Sequence, residues 1–279
     1  MAAANPAAPQ PIIARSYSVI FNRSSRILKG FDEDINRELM NALRDNGITF
    51  HLGVNFNEIK EENRKKTIVT STETFTDFND ILVATGRISN VEGLNLKTAG
   101  ISNDNGIIVD DTLKTTNPNI YAAGDCVRQP LKLETLAGKE GVIAVENMLG
   151  GGRTVNMNEI PWVVFTEPNV ASVGYTEYEL KRKNIEYSVR TVDLKNVVKA
   201  NILKSVNGLA KILVDRDKKI IGVQVVAPNA AEFIIEGVYL IKNKLTYNDL
   251  IDSVHVFPTC FPQLLLPLFQ QEFPVLMVA

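Results

Sequence analysis

The stretch IYAAGDCV, Ile120 to Val127, decides how the rest of the chain reads. Two β-formers lead into two alanines, a glycine and an aspartate. A strand ending in Ala-Ala-Gly lets a second backbone or a ligand come close, because nothing larger than a methyl projects there. Asp125 then stands at the carboxyl end of a strand, where open α/β sheets hold their ligands. A carboxylate in that place can accept hydrogen bonds from a sugar or ribitol hydroxyl. The plainer alternative is a turn aspartate that caps the helix downstream.

Working outward, ATGR (Ala84 to Arg87) is a second end of the same kind. Asp80 to Ala84 (DILVA) predicts a short buried strand that stops at Thr85-Gly86-Arg87. Arg87 can meet a phosphate or stay solvated. Upstream, Ser16 to Phe21 reads as a strand and Ile48 to Leu52 as another. Between them Asp32 to Asp45 reads as a helix, with Ile35, Leu39, Met40 and Leu43 at helical spacing and Asp32 as its cap. This order predicts an α/β unit with a mostly parallel sheet. Lys66 to Ser71 and Glu73 to Phe78 read as a hairpin.

The first strand runs into NRSSRILK, Asn22 to Lys29. In a dinucleotide fold the end of this strand selects the nucleotide. An acid there accepts from the ribose 2′-hydroxyl of NAD, and basic groups pair with the 2′-phosphate of NADP. Arg23, Arg26 and Lys29 favour NADP, although a solvated basic loop is the commoner fate of such charge.

Downstream of Asp125, Thr135 to Met148 reads as a helix closed by Gly150 to Gly152. Two short strands and a helix start fall within PWVVFTEPNVASVGYTEYEL, from Pro161 onward. Ser188 to Leu194, Gly208 to Val214 and Ile220 to Val226 read as antiparallel strands, with Asp215 to Lys219 as a turn. Ala230 to Asn243 reads as a helix. His255, in HVFPTCFP, is placed as a general base would be, yet no paired acid follows it at helical distance.

Composition narrows the classes. The 279 residues are 45% hydrophobic and 22% charged, ordinary for a soluble globular chain of about two domains. A net charge of −2 gives no reason to expect nucleic acid. No apolar run is long enough to span a bilayer. The Ala/Pro-rich residues 1–15 lack the basic start and apolar core of a secretory signal and read as a disordered leader. Two cysteines, Cys126 and Cys260, make no disulfide framework, and a reducing cytoplasmic setting is the default. Two histidines, His51 and His255, are too few for a histidine-rich metal site, and no metal ligands are nominated.

Together, ATGR, TTNPNIYAAGD and PWVVFTEPNVASVGYTEYEL resemble the flavin-dependent pyridine nucleotide-disulfide oxidoreductases, in the family's order and approximate spacing. The resemblance covers Ser16 to Thr259. Lys132 to Gly141 (KLETLAGKEG) and HVFPT are most similar to mercuric reductases.

The resemblance implies an α/β fold. Part of a two-dinucleotide-binding-domain flavoprotein would be followed by an α+β dimerisation domain. It divides the chain into a partial NAD(P)-binding domain (16–87), a second FAD-binding segment (88–157) and a dimerisation domain (158–279). It implies FAD and NADPH as cofactors, Hg(II) as substrate and a homodimer formed through 158–259. It places Gly124, Asp125 and Gly86 at the flavin, with Asp125 on a ribitol hydroxyl. Leu133, Glu134 and Thr135 would pass the pyrimidine edge through backbone groups, and Arg23 and Lys29 would meet the 2′-phosphate.

The departures are equally specific. No GxGxxG loop and no CxxxxC redox pair occurs in the 279 residues. Phe257 and Pro262 stand where disulfide reductases of the family carry a catalytic His and Glu. Mercuric reductases also lack that His, which favours them over dihydrolipoamide dehydrogenases. These departures predict an N-terminally incomplete enzyme, inactive alone and without a catalytic residue of its own. The alternatives are a dihydrolipoamide dehydrogenase-type fragment and a non-catalytic dimerisation module.

Overall fold

The structure, a computed structural model, describes residues 18–259 and 275–276. The leader (1–15), Cys260 and Pro262 lie outside the described residues. The chain divides into two units. One joins residues up to 81 with those from 163 onward, and the other is 82–162.

In the first unit, β1 (Ser18–Asn22) pairs in parallel with β2 (Ile48–Leu52), Phe21 opposite His51. The crossover is α1 (Glu33–Asp45), which buries Ile35, Leu39, Ala42 and Leu43 on one face. Parallel pairing stops there. The expected hairpin is the second half of an antiparallel meander of β3 (Phe56–Glu62), β4 (Lys65–Thr70) and β5 (Thr74–Phe78). Sequence reasoning missed β3 because FNEIKEE is mostly charged and every residue is exposed. It is an edge strand, held by backbone pairing to β4 alone, and charge on such an edge blocks further strand addition.

The core of this unit is a six-stranded sheet in the order β11-β8-β9-β10-β7-β6. Its strands are β6 (Trp162–Val164), β7 (Asn169–Gly174), β8 (Tyr187–Asp193), β9 (Leu209–Val214), β10 (Ile220–Ala227) and β11 (Val275–Leu276). All of β9 and nearly all of β10 is buried, so both sheet faces are covered. One face packs on α5 (Ala230–Lys242), where Gly237 lies against Val173 and Val223. Three short helices, α3 (Glu177–Arg182), α4 (Val198–Ile202) and α6 (Tyr247–Asp252), complete the unit.

Side chains alternate across a strand, so Gln224 points to the face opposite Val223 and Val225. There Ser172, Gln224 and Lys211 line up across β7, β10 and β9. Gln224 donates to Asp32 at 2.6 Å. Lys211, 1% exposed, reaches Asp32, Asp34 and Glu177 at 3.3, 2.7 and 2.6 Å. These three carboxylates cluster closely enough for a cation, and the Lys211 ammonium supplies one. Asp32 does not cap its own helix as expected. Its carboxylate accepts instead from the backbone N–H groups of Glu177 and Tyr178, at the start of α3.

The second unit holds one long helix, α2 (Glu134–Met148), a 3-10 turn at Gly124–Cys126 and isolated bridges. Two expected strands are corrected here. Asp80 to Ala84 has no ladder partner among the described residues, and Leu82 and Val83 are 91% and 64% exposed rather than buried. In IYAAGD only Tyr121 bridges, to Lys114. Apolar, β-branched composition favours extended backbone, but a strand exists only where a neighbour takes its N–H and C=O groups.

Candidate functional site

The chain enters the turn extended through Ala123 (φ −142°, ψ 155°) and reverses at Gly124, whose φ is +80°. Only glycine adopts that conformation without strain. A Cβ there would also stand 3.2 Å from the Ala137 methyl of α2. The Gly124 N–H donates to Glu140 Oε2 at 2.7 Å, one helical turn beyond Ala137. The turn therefore rests directly on α2.

Asp125 presents a side chain that is 45% exposed. Arg87 Nη1 donates to its Oδ2 at 3.0 Å, and Arg87 Nη2 donates to the Lys132 carbonyl at 2.7 Å. The Asp125 carbonyl accepts from Ser89 Oγ at 2.9 Å and from Lys132 Nζ at 2.5 Å. The ends of ATGR and AAGD, read separately in the sequence, thus meet. Asp125 caps nothing on α2, whose N-cap is Leu133 with no side-chain bond. The plainer reading of this aspartate does not hold.

Gly86, with φ +120°, has open space where a side chain would project. Glu134 and Thr135 are exposed on the first turn of α2, where backbone N–H groups lack partners within the helix. A half-exposed carboxylate, an open glycine and a free helix start suit a polyol joined to a planar ring with hydrogen-bonding edges. The donor and acceptor set fits a flavin.

Arg23 and Lys29 are exposed on the loop between β1 and α1. Asn22 is not available to a ligand. Its Nδ2 donates to the Arg26 carbonyl at 2.8 Å and its Oδ1 accepts from the Ser24 N–H. Among the described residues Arg23, Arg26 and Lys29 have no ion-pair partner.

Sequence reasoning missed Ser89, Lys132 and Glu140. The last had a signal, because it falls on the buried stripe of α2 with Leu136, Ile143 and Asn147. It also missed the acid for His255. His255 Nε2 lies 3.8 Å from Glu236 Oε1, an acid that precedes it on α5 rather than following it. His51 is structural, stacked on Phe21 at 5.0 Å and edge-on to Phe75 at 4.4 Å.

The chain belongs to the pyridine nucleotide-disulphide oxidoreductases. Residues 12–141 match that family and residues 160–265 match its dimerisation domain. Mercuric reductase homologues cover most of the chain. That of Acidithiobacillus ferrooxidans is 41% identical over 182 residues, 64% of this chain and 33% of that protein. That of Bacillus cereus is 32% identical over 247 residues, 86% of this chain and 39% of that protein. A dihydrolipoyl dehydrogenase of Chlamydia pneumoniae is 32% identical over 236 residues, 84% of this chain and 51% of that protein. Among solved structures, the HOCl-induced flavoprotein disulfide reductase RclA of Escherichia coli shares the fold. Its TM-score is 0.78 at 24% identity, over 88% of this chain and 57% of that one. The chain spans between a third and about half the length of these curated relatives.

Proposed function

We propose that this chain supplies flavin-contacting, nicotinamide-nucleotide and dimerisation parts of a mercuric reductase-like oxidoreductase. The observation that carries this reading is the half-exposed Asp125 carboxylate, held by Arg87 next in sequence to the open Gly86, in a chain of which 182 residues are 41% identical to a mercuric reductase. Asp125 would accept from a ribitol hydroxyl of FAD. Leu133, Glu134 and Thr135 would offer backbone groups to the pyrimidine edge, and Gly86 and Gly124 would allow close approach. When bound, the flavin supplies hydride and electron transfer. Lys29 would meet the 2′-phosphate of NADPH as a point charge and Arg23 through its forked N–H donors.

Hg(II) is the substrate this reading carries. Dihydrolipoyl dehydrogenase is the second reading, favoured by the 32% identity to one and disfavoured by Phe257, which cannot move a proton. The dimerisation domain supports a homodimer through 158–259. Among the described residues no helix is long and apolar enough to cross a membrane. A cytoplasmic setting belongs to the same proposal.

The test is FAD titration of the purified chain by flavin fluorescence, with Asp125→Ala alongside. Saturable binding that weakens about tenfold in the variant supports the site, the effect of losing one hydrogen bond to a charged group. Equal binding by both proteins sinks it.

A further inference from the structure

Glu140 is 1% exposed, lies in the middle of α2, and takes part in no ion pair among the described residues. Burying a carboxylate without a cation costs several kcal/mol unless hydrogen bonds meet it. Such a group calls for a use. Its Oε2 accepts the Gly124 N–H at 2.7 Å. Gln129 Nε2 bridges the same oxygen and the Gly124 carbonyl, at 3.5 and 3.4 Å. Glu140 on α2 therefore grips the peptide before Gly124, and Gln129, on the loop that precedes α2, grips the one after it. On the far side of Asp125, Ser89 and Lys132 hold the carbonyl. With both flanking peptides fixed, only the Asp125 side chain can move, and Arg87 sets its direction.

We propose that Glu140 is a positioning residue of the cofactor site, holding the Gly124–Cys126 turn so that Asp125 presents its carboxylate to a ligand polyol. The proposal rests on the reading of Asp125 as a flavin contact. Burial pushes the Glu140 carboxyl up, and the Asp125 charge adds to the push against the hydrogen bonds from Gly124 and Gln129. Perturbed acids of this kind gather at functional sites.

Two variants of the whole chain separate positioning from bulk stability. Glu140→Gln keeps an acceptor for Gly124, and Glu140→Met fills the volume without one. Two readouts are taken, FAD affinity by fluorescence and amide hydrogen exchange of residues 120–127 in the ligand-free protein. We expect Glu140→Met to weaken FAD binding and to speed exchange at Gly124, each roughly ten- to a hundredfold, with exchange in β9 and β10 unchanged. Glu140→Gln should restore both to within about threefold. Exchange at Gly124 that is the same in Glu140→Met as in the parent overturns the proposal. So does a Glu140→Gln variant as impaired as Glu140→Met. If the parent chain binds no FAD, the flavin reading fails by itself, and the exchange comparison still decides whether Glu140 holds the turn. If Glu140→Met unfolds, parent-like exchange in Glu140→Gln supports the role and faster exchange at Gly124 overturns it.

Discussion

A lysine ammonium removed from water is costly unless carboxylates meet it. Lys211 meets three. Lys211→Met leaves those acids clustered on one face of the sheet without their cation and should cost about 3–5 kcal/mol, the penalty for breaking a buried pair from one side. Urea denaturation measures it. The pH dependence of the parent follows from the same contacts. Burial pushes the Glu177 carboxyl up, but hydrogen bonds from Lys211 and Tyr187 and the Lys211 charge hold it below its ordinary value of 4.5. Its contribution is present above the carboxylate range and is lost as pH falls through that range. Burial pulls Lys211 down, but the three acids outweigh it and raise it above 10.5, so its contribution fades only as pH rises past that value. In Lys211→Met the cation that holds Glu177 down is gone, so the loss of stability as pH falls through the carboxylate range should be shallower in the variant than in the parent. Thermal melts across that range compare the two slopes.

Among elements, exposure separates composition from structure. Leu82 and Val83 sit in a run whose composition favours a strand, yet both face solvent. Replacing either with serine should shift stability by less than about 0.5 kcal/mol. Ile212→Ala, in fully buried β9, should cost about 2–5 kcal/mol. Gly222→Ala should also be severe, because a Cβ there would lie 2.2 Å from the Tyr175 carbonyl. Comparison of denaturation midpoints covers all three. Helices α1 and α5 were legible because one period of apolar positions specifies one buried face. β9 and β10 were legible because a polar DRDKK turn separates two β-branched runs. DILVA and IYAAGD read as strands because their residues favour extended backbone, and pairing depends on chain elsewhere. Asp125 and Gly86 were nominated from a motif. Glu140 and Glu236 were not, because their roles come from partners that only the folded chain brings near.

For the whole molecule, the dimerisation domain sets the first expectation. Size-exclusion with light scattering should return twice the mass of 30.9 kDa, and a well-folded monomer would remove the interface assignment. The second expectation concerns turnover. With Cys126 and Cys260 as the only thiols and no CxxxxC pair, this chain by itself should show no mercury-dependent NADPH oxidation. Steady oxidation under those conditions would show that another electron path exists.

Asp32 accepts from the start of α3 and ties to β9 and β10, across sequence separations of 145, 179 and 192 residues. During synthesis the ribosome therefore releases Asp32 long before the partners of its carboxylate on α3, β9 and β10 exist, and the entire 82–162 unit is made in the interval. Contacts this distant in sequence slow folding, because the loop between them must close first. The first helix waits in the cell with an unanswered carboxylate and an uncovered apolar stripe. Until those partners are made, it is open to chaperones and proteases.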